Sequence, residues 1–346
     1  MRDASSLTDE FWSEVFNADV TASKVTEIGD GLVGMNVRVA LHSTDGGVPQ
    51  SVVAKLPSQD ETSRATGVAL RNYEREVKFY RDIAHTVDVH VPRCFYSEWN
   101  EVDSDFVLVL EDLSPATQGN QILGCSLSHA RLAVLELAKL HGPRWGDASL
   151  LQHEWLQGRE GPDEAETLKN IYAMCLPGFT ETYAGYLEDE ALTLVKEFAG
   201  EVDSWLLRRE GPHTIGHGDY RLDNLMFATE EGGAPISVVD WQTPSRAQGM
   251  SDVSYFLGAG VQPHERREIE NALVGEYLDA LKSYGVIYSF DDAWEQYIIN
   301  SFAGVVMSVV ASQLVKHTHR GEKMFAAMAT RHLRHALDLG AMAMLR

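Results

Sequence analysis

Strand-like and helix-like patterns segregate along this 346-residue sequence, and that division limits the fold more than any single motif. Residues 24–28, 35–42 and 51–56 run apolar or alternate, rich in β-branched side chains, between Gly-rich and Asp-Gly turns, which predicts a three-stranded antiparallel meander. A polar loop is expected at 58–66, followed by a helix over 68–84 in which Ala69, Tyr73, Val77 and Tyr80 recur at helical spacing. Two further strands follow Pro92, at 94–98 and 106–110. From residue 128 the character becomes helical, at 128–140, 191–208, 263–284, 290–316 and 323–339. Two short β-like runs interrupt it, 225–228 and 236–239, joined by the turn Glu231-Gly232-Gly233. The expectation is an α+β chain with two lobes. Residues 1–113 form a small antiparallel sheet with one main helix, and 114–346 form a larger helical lobe, with the boundary at 112–117, where Pro115 ends the strand. The segment 158–166 reads as a polar surface connection.

Charge narrows the function. Twenty-nine Lys and Arg against 51 Asp and Glu give −22, which repels nucleic-acid phosphates and an anionic membrane surface, so neither is expected as a partner. The last 31 residues run the other way, with Lys316, Arg320, Lys323, Arg331, Arg334 and Arg346 against Glu322 and Asp338, and are expected to pair with the acidic body. Cys94, Cys125 and Cys175, odd in number and patternless in spacing, fit neither a disulfide framework nor a zinc site and point to a reducing compartment, the cytosol. Residues 1–16 lack the apolar segment of a signal peptide. The weakly charged stretch 296–315 carries Asn300, Ser301, Ser308, Ser312 and Gln313, which suits a buried helix better than a membrane span. Monomer and homodimer both remain open.

The chemistry concentrates in His217-Gly218-Asp219-Tyr220-Arg221-Leu222-Asp223-Asn224, just before the hairpin that ends at Asp240. An acid followed five positions later by Asn and then by a second acid is the spacing phosphoryl transfer needs. Asp219 can take or orient the proton of an attacking hydroxyl, while Asn224 and Asp240 offer hard oxygens to magnesium. Lys55 lies in the apolar strand Val52-Val53-Ala54-Lys55-Leu56, where a charge needs an acidic partner. With Tyr73 at zero and about 100° per residue, Val77 lies near 40°, Tyr80 near −20°, Glu76 near −60° and Glu74 near 100°. Glu76 therefore falls within the buried stripe and Glu74 at its edge. Gly29-Asp30-Gly31-Leu32-Val33-Gly34 suits either a dinucleotide fingerprint or a phosphate-covering loop. A dinucleotide site needs a helix directly after it, yet 35–42 alternates like a strand, so Gly29, Gly31 and Gly34 are expected over nucleotide phosphates.

Residues 217–224, followed by Val238-Val239-Asp240-Trp241-Gln242, resemble the aminoglycoside phosphotransferase and choline kinase superfamily, the small-molecule branch of the protein kinase-like fold. The Asp-Trp-Gln form and Ser251-Asp252-Val253-Ser254-Tyr255-Phe256-Leu257 look closest to the ecdysteroid kinase-like phosphotransferases, and the likeness runs from residue 24 to about 339. The resemblance implies an ATP- and Mg2+-dependent transfer to a hydroxyl of a small molecule. By it, His217, Asp219 and Arg221 are catalytic-loop residues, His217 orienting rather than acting as base. Lys55 contacts the α- and β-phosphates beside Glu76, and the backbones of Glu111 and Leu113 form the adenine-binding hinge. Asn224 and Asp240 hold the metal, and Asp252 braces the loop.

The rivals are a protein kinase and a non-catalytic nucleotide-binding module. The first lacks support because Asp240 is followed by Trp241-Gln242 rather than Phe-Gly and no Ala-Pro-Glu occurs; against the second, Lys55, Asp219, Asn224 and Asp240 are all present. Neither a Gly-Lys-Ser/Thr loop nor a Gly-x-Ser-x-Gly elbow occurs. His317, His319, His332 and His335 lie among Lys and Arg without a metal-binding pattern and are expected on a solvated helix face. Trp155, Tyr172, Phe179, Tyr183 and Trp294 are candidates to line an apolar acceptor site, although core packing is the expected use of most.

Overall fold

Alternation along the first hundred residues resolves into one five-stranded antiparallel sheet. A computed structural model of the chain describes residues 3–29, 34–158, 160–315 and 317–346. Helix α1 (Asp9–Phe16) precedes β1 (Thr21–Glu27), β2 (Gly34–His42) and β3 (Ser51–Pro57). Then come α2 (Glu61–Ala69), α3 (Asn72–Lys78), β4 (Cys94–Asn100) and β5 (Asp105–Glu111). The strand order is β1-β2-β3-β5-β4. Side chains alternate between its faces, as the period of two requires. Val107 and Val109 pack with Phe11 and Trp12 of α1, while Phe106, Leu108 and Leu110 join Tyr73 and Val77 of α3.

The helix expected over 68–84 is divided. Arg71 takes a left-handed conformation (φ 59°) and separates α2 from α3, and α3 passes into a wide turn over Phe79–Ile83. The loop expected at 58–66 is also mostly helix. Asp60 caps α2 by accepting a hydrogen bond from Ser63 N at 2.9 Å, a start signal whose short polar side chains read equally well as a loop.

The second lobe contains β6 (Thr117–Gln118), α4 (Leu127–His141), α5 (Pro162–Tyr183), α6 (Asp189–Phe198), α7 (Val202–Leu207) and β7 (His213–Gly216). It continues with β8 (Leu225–Thr229), β9 (Gly232–Val238), β10 (Ser245–Gln248), α8 (Gly249–Gly260), α9 (Pro263–Leu281), α10 (Phe290–Leu314) and α11 (His319–Asp338). Strands β8 and β9 form the expected hairpin, extended by β6, and β7 pairs with β10. The connection expected at 158–166 gives way to helix at Pro162, which suits the first turn because it lacks an N–H, with Asp163 and Glu164 at the positive helix end. The segment 191–208 is two helices, α6 and α7, parted near Gly200.

Helix α10 is the one helix among the described residues long and apolar enough to cross a bilayer. It lies against α8, α11 and α5, with Asn300, Ser301 and Ser308 buried. The basic C-terminal segment does pair internally: Arg320 with Asp223, Arg334 with Glu188 and Asp338, and Arg346 with Glu197. One expectation fails there. His332 and His335 are fully buried rather than solvated, because α11 turns that face onto α8 and α10, where Gly258 and Gly304 leave room for the rings. His317 and His319 are exposed as expected. Trp155, Tyr172, Phe179 and Tyr183 are buried in the core and Trp294 is partly buried against it.

Candidate active site

The site is built where the hairpin end and the loop after β7 meet the sheet of the first lobe. Strand β3 is central, with Lys55 opposite Asn36 on one side and Leu108 on the other, so the lysine is almost fully buried. Its Nζ is hydrogen-bonded to Glu76 of α3, as the helical angle anticipates, and donates to Asp240 Oδ1 at 3.0 Å. Burial favours the neutral amine, but Asp240 and Glu76 outweigh it and hold the ammonium charged beyond its ordinary range. Full burial raises the Glu76 carboxyl, with Lys55 opposing. Burial also acts to raise Asp240, yet the Lys55 charge prevails and lowers it. Glu74 faces elsewhere, bridging Arg71 and Lys78, and its carboxyl sits at about 2, chiefly through the Arg71 hydrogen bond.

The loop 217–224 leaves β7 through Gly218 (φ 79°), where a Cβ would stand 2.5 Å from Thr243 O; only glycine meets both conditions. Asp252 of α8 holds this turn, accepting from His217 N at 2.7 Å and Gly218 N at 3.1 Å. His141 and Tyr277 back it, His141 Nε2 lying 3.3 Å from Asp252 Oδ2 and Nδ1 2.8 Å from Tyr277 Oη. His217 is fully buried; its Nε2 lies 3.1 Å from Val239 O and its Nδ1 accepts from Asp219 N at 3.3 Å. Both ring nitrogens are thereby engaged, and the imidazole ties the loop to the hairpin.

The Asp219 carboxylate is partly open. Its Oδ2 accepts from Arg221 Nε at 3.0 Å and Asn224 Nδ2 at 3.1 Å, and its Oδ1 from Tyr255 Oη at 2.9 Å. Arg221 also reaches Asp223 Oδ2 at 2.8 Å and Met324 Sδ at 3.2 Å. Burial works against its charge, but Asp219 and Asp223 more than compensate and raise its pKa. Asp223 in turn accepts from Gln121 N and Arg320.

Asn224 turns its amide nitrogen to Asp219, leaving Oδ1 as the atom available to an ion, and its backbone oxygen accepts from Val239 N at 3.0 Å. That bond ties Val239, the residue before Asp240, to Asn224. Asp240 takes a left-handed backbone (φ 66°), which Asp tolerates better than most residues, and its side chain is 37% exposed. Trp241 stacks on Phe79 (ring centroids 3.7 Å apart), and Gln242 O accepts from Asn72 Nδ2 at 3.0 Å, fastening the segment to the first lobe. Among the described residues no three or more His, Cys, Asp or Glu side chains converge as a metal centre. The Asn224 and Asp240 oxygens instead fit an ion such as magnesium, which takes one or two carboxylates and completes its shell with water and phosphate.

Gly34 lies near the Asp240–Gln242 segment, its Cβ position 3.3 Å from Leu56 O and 3.7 Å from Gln242 Nε2, and Gly29 takes φ 74°. Gly31, with Asp30, Leu32 and Val33, lies outside the described residues. Glu111 N donates to Arg93 O at 2.8 Å and Leu113 O accepts from Ala116 N at 2.9 Å. Sequence reasoning did not find Tyr255, Gln121, Arg320 or Met324. Tyr255 lies within the 251–257 run already singled out, and its position one turn beyond Asp252 was the available signal; the other three come from distant segments with no local mark.

Comparison with known proteins bears on the fold and the family. The sequence is 20% identical over 313 residues, 80% of the chain, to "Uncharacterized oxidoreductase dhs-27" of Caenorhabditis elegans, and spans 37% of that protein's length. A crystal structure of a putative aminoglycoside phosphotransferase from Ralstonia eutropha JMP134 superposes over 98% of this chain and 99% of its own, with TM-score 0.52 and 17% identity. Choline kinase from Cryptosporidium parvum Iowa II superposes over 93% of this chain and 91% of its own, with TM-score 0.55 and 11% identity. These likenesses establish a bilobal kinase-like fold. The model of the ecdysteroid kinase-like family matches residues 29–285, so the chain belongs to that family of small-molecule phosphotransferases.

Proposed function

We propose that the chain is an ATP- and Mg2+-dependent O-phosphotransferase that phosphorylates a hydroxyl of a small molecule, with the nucleotide-binding lobe ending near Leu113 and the acceptor held by the helical lobe. One observation carries this reading: Asp219 and Asn224 are hydrogen-bonded to each other, while Asp240, whose neighbour Val239 is bonded to Asn224, meets the buried Lys55–Glu76 pair. Lys55, kept charged and aimed by Glu76, contacts the α- and β-phosphates, and Gly29, Gly31 and Gly34 cover them. The backbones of Glu111 and Leu113 face the adenine edge. Asn224 and Asp240 are the ion's ligands, and the ion when bound neutralises charge on the phosphates. Asp219 orients the acceptor hydroxyl and takes its proton, and His217 and Arg221 keep that carboxylate in place. Positioning and charge neutralisation then supply most of the rate. The three free cysteines accord with a cytosolic setting.

The acceptor is found by incubating the protein with MgATP and a panel of hydroxylated metabolites and antibiotics, choline and kanamycin among them, and following acceptor-dependent ADP release. Asp219→Asn is expected to bind MgATP as the wild type does and to lose at least about 100-fold in turnover, the scale of a positioned proton acceptor. Wild-type turnover in that variant would sink the assignment.

A further inference from the structure

Tyr255 brings a group to Asp219 that the motif alone does not assign. It is 5% exposed, and its ring lies against His332 at a centroid distance of 5.1 Å and 30° between planes. Its hydroxyl donates to Asp219 Oδ1 at 2.9 Å. An ionised carboxylate offers about two acceptor directions on each oxygen. On Oδ2 both are taken by protein donors, Arg221 Nε at 3.0 Å and Asn224 Nδ2 at 3.1 Å. On Oδ1 one is taken, by Tyr255, and among the described residues none takes the other, on a side chain that is 22% exposed.

We infer that Asp219 Oδ1 is the oxygen that receives the acceptor's proton, and that Tyr255 is the positioning residue that fixes this oxygen toward the acceptor. The inference rests on the reading of Asp219 as proton acceptor. In the step, the acceptor oxygen bonds to the γ-phosphorus, the bond from that phosphorus to the β,γ-bridging oxygen breaks, and ADP leaves with its electron pair. The hydroxyl proton passes to Oδ1 and from there to solvent. Tyr255 holds the carboxylate plane throughout without giving up its own proton, since burial first and the Asp219 charge second keep the phenol well above its ordinary pKa. Its geometry is fixed from behind by the His332 ring, so the donor does not depend on the bound acceptor.

The test is Tyr255→Phe, which keeps the ring on His332 and deletes only the hydroxyl. Turnover is read as phosphate released from γ-labelled ATP with water as the acceptor, beside MgATP affinity by calorimetry and the melting temperature. Turnover is expected to fall about tenfold, the effect of losing one hydrogen bond to a charged group, with MgATP affinity and melting temperature unchanged. In an Asp219→Asn background the same change is expected to cost nothing further, because the oxygen it serves is no longer the proton acceptor. Full turnover in Tyr255→Phe beside a disabled Asp219→Asn would overturn the role of Tyr255 and leave Asp219 standing. Losses that multiply in the double variant, or a melting temperature that falls with turnover, would overturn it as well by assigning the residue to the fold. Wild-type turnover in Asp219→Asn would overturn the underlying reading and this inference with it.

Discussion

Lys55 meets two carboxylates, and the two meetings have different consequences. Glu76 is fully buried, so its contact with the ammonium satisfies two charges that burial would otherwise penalise. Asp240 is partly open and belongs to the hairpin, so its contact joins the lobes at the point where phosphates are proposed to bind. Lys55→Met is therefore expected to raise the Michaelis constant for ATP, lower turnover, or both, and Glu76→Ala to do the same by releasing the lysine. The double variant should be little worse than either single, since one interaction is lost only once. Glu74→Ala removes only the bridge to Arg71 and Lys78. It should cost up to about 1 kcal/mol of stability, as such local helix pairs do, and leave turnover alone. Steady-state kinetics on the four variants decides: additive losses from Lys55 and Glu76 would mean the residues act separately, and a damaged Glu74→Ala would make it the partner.

Helices and strands were legible where one residue pattern dominated and obscure where two signals competed. The five strands of the first lobe and the β8–β9 hairpin follow from alternation, and Glu76 was found because a helical angle survives even when the helix is cut at Arg71. Helix α5 was not among the helices expected; Pro177 and Gly178 disfavour a helix interior, yet Cys175 and Phe179 on either side bury themselves in the core. The face of α11 was misjudged because charged neighbours mark a helix as solvated, and nothing local says that Gly258 and Gly304 on two other helices admit imidazole rings. That packing yields a contrast. A Cβ at Gly304 would stand 2.1 Å from the His332 ring, so Gly304→Ala is expected to destabilise the protein by about 1–3 kcal/mol. Gly275, helical in α9 with open space at its Cβ position, should instead gain up to about 1 kcal/mol on Gly275→Ala. Urea unfolding of the two variants measures the difference, and equal effects would mean that the His332 ring can move aside.

A single apolar cluster runs from Tyr73 and Phe106 of the first lobe to Leu222, Trp241 and Tyr277 of the second, so the lobes share a core as well as a site. Beyond it, in the helical lobe, lies a buried polar cluster whose protonation bears on the whole molecule. His332 lies tilted against Tyr255 of α8, and His335 meets Tyr297 of α10 edge-on and lies 3.4 Å from Glu270 of α9. Arg266, Arg331 and Asp338 complete the surroundings. Burial, first and foremost, pulls His335 down to about 4 and His332 well below its ordinary 6.5; the nearby arginines pull the same way, and Glu270 opposes this at His335. Both rings are thus neutral in the folded protein and protonate more readily once unfolded. Their contribution is fully present above pH 6.5 and is lost as pH falls from there toward 4, because the unfolded chain takes up protons the folded one refuses. Between pH 7.5 and 5.5 the unfolding free energy should drop by about 1 kcal/mol per histidine, with Glu270 and Asp338, both lowered, adding their loss only in more acid solution. Urea titrations at half-unit intervals read this directly, and His335→Gln should remove about half of the fall. Stability that stays flat from pH 7.5 down to 5 would show that the two imidazoles titrate inside the fold as they do in the unfolded chain, and stability that rises as pH falls would show that they already carry protons there, two buried cations that Glu270 and Asp338 must balance.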